Sequence, residues 1–155
     1  DQSGTGQDLT VSETDIDNVL RAKAAIYSGL SLLLEQAGLP ASDLEQVVIA
    51  GGFGRGLRID RAVILGLLPD LPRETFRYVG NASRYGAVQC LLSGPARQRR
   101  DELASKITYL DLSTTPGYMD HFTAALFVPH TDAGLFPSVP KPARPSDLPH
   151  REARP

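Results

Sequence analysis

The chain has one cysteine, Cys90, and three histidines in 155 residues, and this scarcity excludes a whole class of chemistry. An iron–sulfur cluster needs several thiolates, and a closed zinc site needs a Cys and His constellation, so this chain alone holds neither. His121, His130 and His150 stand at no ligand spacing. Cys90 lies in an apolar helical run with Val88, Leu91 and Leu92 and reads as a buried, inert thiol. No excess of one charge exists either: the net charge is -2 and the pI near 5.9. That argues against a broad nucleic-acid footprint, and the clusters Arg97, Arg99, Arg100 and Arg144, Arg151, Arg154 read as solvated faces and tail. No apolar segment approaches the roughly 20 residues of a membrane span, and the N-terminus has no signal-peptide pattern. The expected setting is the cytoplasm, with neither nucleic acid nor membrane as partner. What is present, 41% hydrophobic and 22% charged residues, suits one soluble domain with a real core.

The most informative stretch runs from Gln46 to Arg58. An apolar, β-branched run, Val47, Val48, Ile49 and Ala50, enters a glycine cluster at Gly51, Gly52, Gly54 and Gly56. The run reads as a central parallel strand covered on both faces. Glycine lets the backbone turn sharply and lets a ligand approach it closely. Ligands of open α/β sheets bind beyond the carboxyl ends of strands, where these glycines fall. Two familiar phosphate motifs fail here. The dinucleotide pattern begun at Gly52 meets Leu57 where a third glycine should stand, and Leu57 and Arg58 replace the Lys and hydroxyl of a Walker loop. What survives is a double glycine followed by Phe53 and Arg55, a flat ring and a flat cation of the kind that stack on purines. A plain strand-to-helix turn without ligand fits the local pattern equally.

Residues 1–9 are polar and glycine-containing and read as a linker or cut end. Thr10-x-x-Glu13 has the form of a capping box, and Ile16, Val19, Leu20, Ile26, Tyr27, Leu30, Leu33, Leu34 and Ala37 then recur at helical spacing until Gly38 and Pro40. This predicts one long amphipathic helix docked by its apolar stripe. Lys23 interrupts the stripe, and packing of its stem with the amine at water is the plainer reading beside a ligand contact. Asp60 should cap a short helix ending at Pro69, and Phe76 to Val79 should form a second strand. Gly80 to Ala87 opens another helix with small residues at Ala82, Ser83, Gly86 and Ala87, where Gly86 implies a steric requirement. A charged helix over 96–105, a strand over 107–112 and a last helix over 115–127 follow. From about Pro129 proline density rises, so 130–155 is expected to be a disordered or extended tail and 10–129 the folded domain.

The order of four segments is distinctive: Ala22-Lys23-Ala24-Ala25-Ile26, Val48-Ile49-Ala50-Gly51-Gly52-Phe53-Gly54, Gly66-Leu67-Leu68-Pro69 and Val79-Gly80-Asn81-Ala82. Over roughly Leu9 to Pro129 that series resembles the C-terminal actin-like ATPase (ASKHA) domain of reductive activators of corrinoid proteins. The resemblance implies an α/β fold, half of an actin-like, RNase H-like module, with helices packed on a short sheet. It implies ATP with magnesium as cofactor, the metal held mainly outside this chain, and a [2Fe–2S] cluster in an N-terminal part. The activity it implies is ATP-driven reduction of cob(II)alamin in a corrinoid protein to the cob(I) state required for methyl transfer. Gly51 and Gly52 would then be the adenosine motif, with Phe53 and Arg55 at the base and Lys23 lining the pocket from the preceding helix. The Ala82–Ala87 helix would pack against a counterpart as the lobes close.

An Asp-x-Gly-Thr phosphate loop following a strand is absent from this sequence. The chain therefore reads as the C-terminal portion of a longer polypeptide, without activity alone and with no catalytic residue of its own. Its partners would be the upstream lobe and a corrinoid protein, and an open sheet edge would favour pairing into a homo-oligomer. Two other readings stand beside this one: the ATPase activator of a radical acyl-CoA dehydratase, and a nucleotide-free module that docks a corrinoid or methyltransferase partner.

Overall fold

The longest element, α1 (Glu13–Gln36), starts from a capping box two residues beyond the expected one. In this computed structural model, which describes residues 10–112 and 114–141, Ser12 is the N-cap. The Asp15 amide donates to Ser12 Oγ at 3.2 Å, and Asp15 Oδ2 accepts from the Ser12 amide at 2.9 Å. The Thr10/Glu13 box is thus corrected: an aspartate at the third helical position closes the same ring. Gly38, at φ 66°, follows the helix end as anticipated.

The buried face of α1 is also not the expected one. Lys23, Ala24, Tyr27, Ser28, Gly29 and Leu32 are buried, whereas Ile16, Val19, Ile26 and Leu33 are each more than half exposed. Small residues explain the choice, because Ala24, Ser28 and Gly29 admit close neighbours; a Cβ at Gly29 would stand 3.4 Å from Leu112 Cδ1. The helix packing on α1 is α5 (Tyr118–Ala125), tied to it further by His121 Nε2 lying 2.9 Å from Glu35 Oε2. The larger apolar stripe faces outward.

β1 (Val47–Ala50) and β2 (Phe76–Gly80) pair in parallel, with Val47 opposite Phe76 and Ile49 opposite Tyr78. The register then slips, so that Ala50 faces Gly80. Among the described residues the sheet has these two strands. β1 is therefore not covered on both faces: Val47 and Ile49 are half-buried, and Val48 and Ala50 are exposed. Between the strands runs α2 (Ile59–Leu65), preceded by Arg58 with no side-chain cap. Asp60, the expected cap, lies inside the first turn and accepts from Arg73 Nε at 2.9 Å. The helix stops at Gly66, φ 79°, before Pro69 is reached. A side chain at 66 would collide with the Pro129 carbonyl, so the turn and the close approach both require glycine there.

Asn81 caps α3 (Ala82–Leu92) by accepting from the Arg84 amide at 3.0 Å, and Ser93 caps α4 (Gly94–Ala104). A Cβ at Gly86 would meet nothing within 4 Å, so no described neighbour imposes the expected steric requirement. Cys90 is half-buried, lining an open groove between α3 and α4, rather than sealed in a core. Residues 107–112 form no strand; Ile107 and Tyr109 stand exposed, and among the described residues no strand pairs with them. α5 is shorter than expected and begins after Gly117.

The core gathers Ala24, Tyr27, Ala62, Val63, Leu68, Ala125 and Phe136. Phe136 comes from the segment expected to be disordered or extended. Instead, residues 130–141 fold back, the Phe136 ring centroid lies 5.5 Å from that of Tyr27, and Ser138 binds Asp70 through its amide (2.6 Å) and hydroxyl (2.5 Å). Burial pushes the Asp70 carboxyl up, but these two Ser138 bonds and Arg73 outweigh it and leave the group below its ordinary range. The expectations for residues 1–9 and 142–155 lie outside the described residues.

Candidate functional site

At the carboxyl end of β1 the backbone turns through Gly51, whose φ of 98° favours glycine. Its amide donates to the Gly80 carbonyl at 2.6 Å, and its carbonyl accepts from the Tyr78 hydroxyl at 2.7 Å. Gly52 follows with ordinary helical dihedrals, φ -65° and ψ -35°, and is exposed. A Cβ at Gly52 would meet nothing within 4 Å. A 3-10 turn over Phe53–Gly56 comes next. Gly54 in it is buried, and a Cβ there would lie 2.6 Å from Ile49 Cγ2 and 2.7 Å from Tyr78 Cε2. The side chain of Phe53 is outside the described set. Arg55 is exposed, and its guanidinium has no hydrogen bond or ion pair among the described residues. The arrangement offers an open backbone step, a free planar cation and, behind them, a strand end held by two hydrogen bonds.

Lys23 occupies a different setting. It is 1% exposed, and its ammonium donates to the carbonyls of Phe127 and Pro129, the latter at 2.8 Å. The amine therefore does not reach water, and its hydrogen-bond partners belong to the chain leaving α5 rather than to the glycine loop. Burial pushes the Lys23 ammonium down to about 8. His130 next to it is pushed down by its own burial and then by the Lys23 charge.

Of the residues singled out from sequence, Gly51, Gly52 and Arg55 thus share one sheet end, and Lys23 is committed elsewhere. Tyr78 was missed. Its one signal lies in strand register, since it stands opposite Ile49 and beside the turn only once β1 and β2 are paired. No group of three or more His, Cys, Asp or Glu among the described residues could hold a metal ion. No helix among them is long and apolar enough to cross a membrane.

A small parallel sheet flanked mostly by helices, with a glycine turn at the strand end, defines an α/β domain. The chain belongs to the family described as the C-terminal domain of RACo, the ASKHA domain, whose family model matches residues 1–140. The corrinoid activation enzyme RamQ of Eubacterium limosum is 36% identical over 117 residues, covering 76% of this chain and 20% of that protein. A solved structure titled reductive activator for corrinoid, iron-sulfur protein is similar with a TM-score of 0.81 and 48% identity, over 88% of this chain and 22% of that one. The chain therefore spans about a fifth of the length of these relatives.

Proposed function

We propose that this chain is the adenosine-binding part of an ATP-dependent reductive activator that returns cob(II)alamin in a corrinoid protein to cob(I). The observation that carries this reading is Gly52. Its backbone would suit any residue and its Cβ direction is empty, so nothing described in the chain accounts for the missing side chain. A ligand lying on the Gly51–Gly52 backbone does account for it. Arg55, exposed and unpaired two residues into the turn, supplies a guanidinium plane to stack on the purine. Phe53 belongs to the same turn and would contribute to the base and ribose site. Lys23 supports the frame of the domain instead of the ligand.

Bound ATP would supply the energy that an uphill one-electron reduction requires. This chain's part is to hold the adenosine end against the strand and keep it oriented. With a single cysteine it does not fit a [2Fe–2S] cluster, which would sit elsewhere in the longer protein together with most of the magnesium ligands. The names of both relatives support a corrinoid protein as partner over an acyl-CoA dehydratase. The test is the Arg55→Ala variant of the longer protein that carries this domain. Losing one partly solvated stacking contact should weaken ATP by about 5- to 10-fold, near 1 kcal/mol. Unchanged affinity would remove Arg55 from the pocket.

A further inference from the structure

We propose that Tyr78 is the positioning residue of the nucleotide loop: by locking the Gly51–Gly52 peptide plane, it presets the Gly52 N–H as a donor to adenosine. The inference rests on the adenosine reading above and assigns the loop's geometry to a side chain from the neighbouring strand.

A peptide bond between two glycines is the least constrained in a chain, because no Cβ opposes a flip of its plane. A flip would exchange the directions of the Gly51 carbonyl and the Gly52 amide, which point oppositely across a trans peptide. Here the carbonyl is tied by the Tyr78 hydroxyl at 2.7 Å, and the Gly51 amide before it is tied to the Gly80 carbonyl at 2.6 Å. The Gly52 amide itself has no hydrogen-bond partner among the described residues and lies in an exposed position. A free donor, held in one direction over open space, is what an acceptor on a purine or ribose can use at little ordering cost.

The structure builds this lock from three places. Tyr78 stands opposite Ile49 in the parallel register, and both side chains close over Gly54, where a Cβ would lie within 2.7 Å of each. The register slip after Ile49 then brings Gly80 level with Ala50, so its carbonyl can receive the Gly51 amide. Tyr78 is 40% exposed, so packing covers the residue only in part. Its hydroxyl is the part that the loop engages.

The experiment is calorimetric titration of adenosine and of ATP into the longer protein and its Tyr78→Phe variant. Removal of one hydrogen bond should weaken both ligands by about 5- to 10-fold. Incorporating 4-aminophenylalanine at position 78, which restores a donor at the same place, should recover most of the loss, whereas a purely packing role would not distinguish it from phenylalanine. Replacing Tyr78 by 3,5-difluorotyrosine gives a second route that hardly changes shape. Adenosine affinity should then fall as pH rises through the lowered hydroxyl pKa, and a flat profile would overturn the proposal, as would wild-type affinity in Tyr78→Phe. Gly52→Val is measured alongside. If it binds adenosine normally, the site reading itself fails; if it loses adenosine while Tyr78→Phe does not, only the lock fails.

Discussion

Gly51 is glycine for its backbone, Gly54 for the Tyr78 ring and Ile49 methyl packed on it, and Gly52 for neither reason. Gly66 combines the first two, having φ 79° and the Pro129 carbonyl where a side chain would go. Gly66→Ala should therefore destabilise the chain by about 2 to 4 kcal/mol, read as a lower urea midpoint, and a loss below about 0.5 kcal/mol would contradict that packing. Lys23 gives a pH-dependent prediction. With its folded pKa lowered to about 8 from an ordinary 10.5, the group is protonated in both states below pH 8. Between those values the unfolded chain holds the proton and the folded chain does not, so stability rises with pH, by at most about 1.4 kcal/mol per pH unit. Lys23→Met does not titrate and leaves two carbonyls without their donor. Its deficit against wild type should widen between pH 7.5 and 9.5 in paired urea titrations. A narrowing gap would mean that the two carbonyls hold the charge more strongly than burial opposes it.

The helix ends show how far local chemistry can be read. Gly38 after α1 and Asn81 before α3 act within a few residues of themselves, and their roles were legible from spacing alone. Ser12 and Asp15 shifted the first cap by two residues because two overlapping boxes satisfy the same pattern. The Tyr78 contact joins residues 27 positions apart, and the buried face of α1 and the return of residues 130–141 depend on partners farther still, as in the Tyr27–Phe136 pair, so no local period encodes them. Of the candidate site, the glycine step and Arg55 were visible as residue types at a strand end, while the burial of Lys23 was not, because its carbonyl partners are more than 100 residues distant. The returning segment has an energetic consequence. Phe136→Ala removes a core ring that is 3% exposed and should cost about 3 to 5 kcal/mol, measured by urea unfolding. A cost under 1 kcal/mol would show that the segment is not part of the core.

At the scale of the whole molecule, apolar residues of α1 and α3, together with Ile107 and Tyr109, remain exposed, while the glycine turn is tied at its strand end by the Tyr78 hydroxyl. The stretch matched in both relatives is about a fifth of their length, so the proposed ligand is best tested in the longer protein. The most direct measurement is calorimetric titration of ATP, at fixed magnesium and salt, into the longer protein and its Gly52→Val variant. ATP binding should weaken by at least about 100-fold with the thermal midpoint little changed, because a valine side chain would fill the ligand's space and no described neighbour's. ATP binding by Gly52→Val equal to that of wild type would contradict the adenosine site.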